Sequence, residues 1–432
     1  MFTRVLALVS GALLGLATSN ALAQGLPAAK PEEIGLSAAK LQRLTDAFQA
    51  EIDKGAIPGA VLLVARNGKV GYFKAIGFQD RDKQIAMKPD SIFWIASLTK
   101  PIATVAAMML VEEGKIQIDD PVARYLPELS SMQVGVEKIN ASTGKPELVL
   151  EPARRPMTVQ DLLRHTSGFT YPSFGNSLVN QAYGAANVFD ISLTLGEFVT
   201  KLSKLPLSYQ PGTTWDYGVS TDVLGRIVEV VSSMPLDQFI AERITQPLHL
   251  ADTAFVVPQA KGSRIAQPQN EPTTGKPPAF YHDMSVPPKL FSGGVGLVST
   301  ASDYARFCQM LLNGGRLDGT RLLEARTVRY MTVDHLPPDV GFSPAAYFFG
   351  ASGPTRAQGQ GFGLGFAVRN DEGRNARFGN PGKYFWISVT GAAFFVDPQE
   401  KLIGVMMVQL PIIQTQHYRS LFENLVYQAV DK

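Results

Sequence analysis

The chain carries one cysteine, Cys308, in 432 residues. A single thiol cannot close an internal disulfide or build a Cys-rich metal site. The five histidines, at positions 165, 249, 282, 335 and 417, show no ligand spacing such as H-x-x-x-H, so neither a metal nor any other cofactor is implied. An excess of charge is also missing. Forty Lys and Arg against 38 Asp and Glu leave a net charge of +2, with no basic run. This excludes a polyanion-binding surface and hence a nucleic-acid partner, because such affinity rests on many clustered basic side chains. No apolar run reaches the roughly 20 residues that a membrane-crossing helix needs. There is no internal repeat and no G-x-S-x-G nucleophile elbow. What the chain does have is apolar content: hydrophobic residues make up 45% of it, enough to bury a large core and to exclude a mainly disordered chain.

The first 23 residues read as a removable leader. Arg4 supplies a positive start, Val5 to Thr18 is an apolar run of 14 residues, and Ala21-Leu22-Ala23 fits the small-x-small cleavage rule before Gln24. Gln24 and not a cysteine stands directly after that point, so a lipid anchor there is not expected. The protein is expected to be exported, periplasmic or secreted, with no stable membrane insertion after cleavage. Cys308 shares an apolar helical pattern with Tyr304, Phe307 and Leu311 and is read as a core residue.

Residues 24–432 are expected to form one catalytic domain of the α+β class. Ser37 to Lys54 has the spacing of an amphipathic helix, with Leu41, Leu44, Phe48 and Ile52 on one face. Val61 to Ala65 and Val70 to Ala75 are apolar runs joined at Asn67-Gly68, the strongest short-range hairpin signal. A similar pair, Ala392 to Val396 and Leu402 to Val408, precedes a last helix over Thr415 to Val430. Helical patterns dominate between these ends, near 101–113, 158–165, 194–204, 221–232 and 302–313. An antiparallel sheet built from both chain ends is therefore predicted, flanked by helices (about 30–95 plus 290–432). A mostly helical lobe (about 96–289) is predicted beside it, with a cleft between the two. The Pro-, Gly- and Ser-rich stretches 255–290 and 334–360 read as loops near that cleft.

Three S-x-x-K spacings occur. Ser37–Lys40 opens the amphipathic helix, where Ser is a plain N-cap, and Ser142–Lys145 lies in a Gly-containing loop. Only Ser97–Lys100 opens a helix that is apolar nearly all round, Pro101 to Val111, and so is expected to be buried. Pro101 is tolerated in a first turn. Residues three apart share a helical face. A buried helix start offers free N–H groups for an oxyanion, and it disfavours the protonated form of a lysine beside it. An uncharged Lys100 could then take the proton of Ser97. A capping role is the plainer reading of Ser97.

Ile57-Pro58-Gly59-Ala60, Phe93-x-Ile95-Ala96-Ser97-x-Thr99-Lys100 and Leu162-Leu163-x-His165-Thr166-Ser167-Gly168 occur in the order seen in the serine β-lactamase-related hydrolases. The chain closely resembles that family from about Ile57 to Leu410. The family includes class C β-lactamases, D-alanyl carboxypeptidases and family VIII carboxylesterases, all with a β-lactamase/transpeptidase-like fold. The resemblance implies that Tyr217, in Pro211-Gly212-Thr213-Thr214-Trp215-Asp216-Tyr217, stands for the tyrosine of the Tyr-x-Asn motif. It would share the base role with Lys100 and pass the proton to the leaving group. Val219 occupies the Asn place. Trp386-Ile387-Ser388 stands where β-lactamases carry Lys-Thr-Gly and the esterases often carry Trp-Gly-Gly. The backbone amides of Ser97 and Val389 would then form the oxyanion hole, and Phe291 to Leu297 would close the cleft.

The departures bear on substrate. A β-lactam or a peptide C-terminus carries a carboxylate, which the family's motif lysine helps to hold; Trp386 cannot do this. With Val219 at the Asn place an amide-contacting group is missing too. An uncharged ester misses neither. The expected function is that of a serine hydrolase working through an acyl-enzyme on Ser97, a carboxylesterase cleaving short-chain acyl esters. The alternatives are a class C-like β-lactamase or D-alanyl carboxypeptidase/D-amino-acid peptidase acting on cell-wall-like amides, with Lys383 or Arg377 supplying the cation, and a non-catalytic relative with a binding role. The partner in the first two is a small-molecule ester or amide. The sequence does not specify an oligomeric state.

Overall fold

The structure, a computed structural model, describes residues 25–271, 274–278, 281–410 and 415–431. The leader read at 1–23 lies outside them.

Asn67 and Gly68 both adopt positive φ, 54° and 78°, the conformation a two-residue hairpin turn demands. They join β1 (Gly59–Arg66) to β2 (Lys69–Asp80) in antiparallel register, with Val61 opposite Ala75 and Leu63 opposite Phe73. The short β3 (Ile85–Ala86) extends this edge. The other strands come from the C-terminal part: β4 (Gln360–Phe362), β5 (Ala367–Arg369), β6 (Tyr384–Ile387), β7 (Gly391–Asp397) and β8 (Leu402–Gln409). The sheet runs β4-β5-β6-β7-β8-β1-β2-β3, and every neighbouring pair is antiparallel. The seam between chain ends is β1–β8, with Val61 opposite Met407 and Leu63 opposite Val405.

Every residue of β7 and β8 is buried, so both faces of the sheet centre are covered. Helix α1 (Ala38–Asp53) packs against β2 and against the C-terminal helix α5 (Thr415–Gln428), which lies on β7 and β8. Helix α4 (Ala301–Leu312), which carries the buried Cys308, packs on β1 and β8. Burial pushes the Cys308 thiol well above its ordinary range, as suits an inert core residue. In α1, Leu41, Leu44, Phe48 and Ile52 are the buried face, and the Ser37 side chain accepts from the Lys40 amide.

The middle of the chain is largely helical around α2 (Thr99–Glu112) and α3 (Ser220–Ser232), which pack on one another. It differs from expectation in one element. Gln133–Ile139 and Pro146–Pro152 form an exposed antiparallel hairpin, so the Ser142–Lys145 segment is its turn. Glu and Lys alternating with single apolar residues hide such a strand, because little of it is buried. One continuous apolar core runs from the sheet through α2 and α3.

Candidate active site

Ser97 sits where the sheet meets the helical lobe. Phe93–Trp94 pairs with Val298–Ser299, and the Ile95 amide donates to the Leu297 carbonyl at 3.0 Å. The Trp94 carbonyl accepts from Gln409 Nε2 at 3.1 Å and Thr390 Oγ1 at 3.3 Å. The chain then turns through Ala96 at φ +40°, a region non-glycine residues seldom enter and one that marks a conformation imposed by its surroundings. Ser97 follows in a 3₁₀ turn, Ala96–Leu98, and α2 begins at Thr99. The hydroxyl is thus presented from a fixed loop just ahead of the helix rather than from its first turn. Tyr304 Oη donates to the Leu98 carbonyl at 2.9 Å, and Thr99 Oγ1 accepts from the Leu297 amide at 3.0 Å.

Lys100 is 1% exposed. Its Nζ donates to Ser97 Oγ at 3.5 Å, to Tyr171 Oη at 3.1 Å and to the Gly294 carbonyl at 2.9 Å. It also lies over the Tyr217 ring, 4.6 Å from the centroid, a cation–π distance. The Tyr217 hydroxyl instead accepts from Trp386 Nε1 at 3.2 Å. Two phenols therefore serve the amine in different ways, one by its oxygen and one by its face. Tyr171 escaped the sequence reading; the signal was its place three residues after Gly168, in the segment that carries His165-Thr166-Ser167-Gly168.

That segment shapes the site by packing. Gly168 has φ +92°, and a Cβ there would lie 2.3 Å from the Tyr209 carbonyl oxygen. Ser167 Oγ meets Ser220 Oγ at 2.8 Å, and the Asp216 amide donates to the His165 carbonyl at 2.9 Å. The His165 ring lies 5.0 Å from that of Tyr217. Burial, helped by the nearby Lys100 charge, holds it well below its ordinary pKa, so it is a neutral wall and not a proton carrier.

Asp222, on α3, is a second residue the sequence reading missed. It is fully buried, and its Oδ1 accepts from Ser292 Oγ and from the Gly294 amide, the latter at 3.1 Å. The Gly294 carbonyl is the one that accepts from Lys100, so a single residue links carboxylate and amine. A Cβ on Gly294 would come within 2.5 Å of Asp222 Oδ2, which explains the glycine. Burial raises the Asp222 pKa, against the lowering effect of the Lys100 charge. Phe291 to Leu297 thus holds the amine as well as closing the cleft.

Ser97 opens into a cavity of about 490 Å³ with mostly apolar and aromatic walls, including Trp94, Tyr171, Phe174 and Phe349. Ile387, Ser388 and Val389, at the end of β6, line it as well. Trp386 and Val219 do not: both are fully buried behind the wall. Trp386 acts on the site through its bond to Tyr217, and Val219 is the residue just before α3. The expectation that Lys383 or Arg377 supplies a cation to this cavity is corrected. Both turn away from it and pair with Glu423 of α5. The cation that does line the cavity is Arg419, also on α5, whose Nη2 donates to the Ser388 carbonyl. Among the described residues no group of three or more His, Cys, Asp or Glu is arranged to hold a metal ion.

The Beta-lactamase family model matches residues 42–418. Esterase EstB of Burkholderia gladioli is 31% identical over 389 residues, covering 85% of this chain and 90% of that protein. An uncharacterized protein of Mycobacterium tuberculosis is 34% identical over 383 residues, covering 84% of this chain and 90% of its own. Among solved structures, EstCE1, described as a hydrolase with promiscuous acyltransferase activity, superposes with a TM-score of 0.73 at 27% identity, covering 90% of this chain and 98% of that one.

Proposed function

The chain belongs to the Beta-lactamase family and is a serine hydrolase of carboxylesterase-like type, and we propose that it cleaves uncharged esters through an acyl-enzyme on Ser97. The observation that carries this reading is the Lys100 amine. It is sealed from water, 3.5 Å from Ser97 Oγ, which opens into an apolar cavity.

Ser97 Oγ attacks the ester carbonyl while Lys100 Nζ, as the uncharged amine with its two N–H groups on Tyr171 Oη and the Gly294 carbonyl, accepts its proton. The carbonyl oxygen, now negative, is met by the backbone amides of Ser97 and Val389, both on the cavity wall. The Tyr217 hydroxyl gives its own proton to the departing alkoxide, the alcohol leaves, and the Lys100 ammonium returns a proton to the Tyr217 oxygen. Water then attacks the acyl-serine by the reverse sequence and releases the acid. Trp386 Nε1 aims and polarises the Tyr217 hydroxyl. Asp222 holds Gly294, whose carbonyl receives the amine. The apolar walls suit an uncharged acyl or alcohol group, and burying its surface favours binding by about 25 cal/mol per Å².

Purified protein and its Ser97→Ala variant, assayed on a short-chain nitrophenyl ester, test the reading. Turnover by the parent and none by the variant is expected, together with a mass increase equal to one acyl group on Ser97 in quenched samples. Turnover unchanged in the variant sinks it. Export is part of the same proposal: N-terminal sequencing of the protein recovered from outside the cytoplasm is expected to begin at Gln24.

One observation favours a second reading. Arg419 lines the cavity, so a carboxylate-bearing amide has a cation available there. Turnover of a chromogenic cephalosporin that falls at least tenfold in Arg419→Met would support it.

A further inference from the structure

Between the sheet and α5 lies a second, much smaller space of about 10 Å³, which shares Ile387 and Arg419 with the substrate cavity. A space of that size holds one particle as large as a water molecule. Arg377, Arg419 and Glu423 line it, with Phe385, Phe395 and Phe422.

The charges around it do not balance. Arg377, Lys383 and Arg419 are 6%, 1% and 4% exposed, and the carboxylate between them is that of Glu423. Glu423 is already engaged twice, by Lys383 on Oε1 and by Arg377 Nη1 on Oε2 at 3.1 Å. Arg419 spends Nη2 on a neutral carbonyl, that of Ser388, and Arg377 spends its own Nη2 on Ser352 Oγ. Among the described residues the Nε–H groups of both arginines are buried without an acceptor. Arg369 stands close by but points its Nη1 at the Arg377 carbonyl, and it faces Asp371 and Asp397. Asp397 in turn takes donors from Asn380 and Tyr427.

Burial and the neighbouring arginines push the Lys383 pKa well down, while a guanidinium keeps its charge. Whichever form Lys383 takes, two guanidiniums face one carboxylate, an excess of at least one buried positive charge. Leaving such a charge uncompensated costs several kcal/mol.

We propose that this small cavity binds one monovalent anion of halide size, chloride in a living cell, held by the guanidiniums of Arg377 and Arg419. The bound halide fixes Arg419, and with it the Ser388–Val389 peptide, whose carbonyl accepts from Arg419 and whose N–H is that of Val389.

Two measurements on the unmodified protein test this. Crystals soaked in sodium bromide are expected to give an anomalous peak between Arg377 and Arg419. Thermal unfolding is expected to shift upward in sodium chloride relative to sodium gluconate at matched ionic strength. The shift should grow with the logarithm of chloride concentration, reaching about 3 °C for a chain of this length when the anion stands at about one hundred times its dissociation constant. Arg419→Gln is expected to abolish that difference. No bromide peak in the cavity, equal melting in the two salts, or full chloride dependence in Arg419→Gln overturns the proposal and leaves water as the occupant. None of these readouts requires esterase activity, so the site stands or falls separately from the proposed reaction.

Discussion

Lys100 faces two tyrosines, and removing either hydroxyl distinguishes their duties. Tyr217→Phe keeps the ring under the amine and its packing on Trp215 and Phe349. It deletes only the oxygen that accepts from Trp386 Nε1. If that oxygen relays the proton, kcat falls by about 10² to 10⁴, the usual worth of a positioned acid–base group. The variant also loses about 1–3 kcal/mol of stability, because a buried indole N–H is orphaned. Tyr171→Phe deletes one of three acceptors around the amine, leaving Ser97 Oγ and the Gly294 carbonyl. One hydrogen bond of this kind is worth about 0.5–3 kcal/mol, so kcat/KM drops about 2- to 150-fold. The assay is steady-state hydrolysis of a nitrophenyl ester by both variants, with urea unfolding alongside. Tyr217→Phe is expected to be the slower enzyme by at least tenfold. Should Tyr217→Phe keep more than a tenth of the parental kcat while Tyr171→Phe falls a hundredfold, the working phenol is Tyr171 and the role given to Tyr217 is refuted.

Trp386→Phe retains an aromatic ring but withdraws the N–H from the Tyr217 hydroxyl. A neutral hydrogen bond of about 0.5–1.5 kcal/mol predicts a 2- to 12-fold loss of kcat, read in the same assay. Asp216 is buried and its carboxyl is pushed up to about 6 by that burial, with Ser343 Oγ donating to it at 2.6 Å. An acid whose folded pKa exceeds its unfolded one destabilises the fold when ionised. Its penalty is absent below about pH 4, grows as pH rises, and is complete above pH 6, at about 3 kcal/mol for two units. Asp216→Asn keeps the acceptor oxygen, so it is expected to stabilise the protein by up to that amount at pH 7.5 and not at pH 4, measured by urea unfolding at both. Gly168→Ala would place a methyl 2.3 Å from the Tyr209 carbonyl oxygen at φ +92°. A loss of about 3 kcal/mol or more is expected in the same unfolding assay.

What could be read from the sequence and what could not follows from chain separation and side-chain parity. The β1–β2 hairpin and the Ser97–Lys100 pair are local, and each was legible because turn chemistry or helical spacing acts over a few residues. The β1–β8 seam joins two apolar runs at opposite ends of the chain, which their composition alone suggests. Tyr171 is 71 residues from Lys100 and Trp386 is 169 from Tyr217; no periodicity reaches across such gaps. For Lys383 strand parity misleads. Residues an even number apart point to the same face, so Lys383 belongs with Ile387, which lines the cavity. Lys383 stands just before β6, 5.4 Å from the Phe385 ring centroid, and pairs with Glu423 of α5. The helix lying across that face, not the strand, decides which residues reach the cavity, and the same holds for Arg419, which that helix carries.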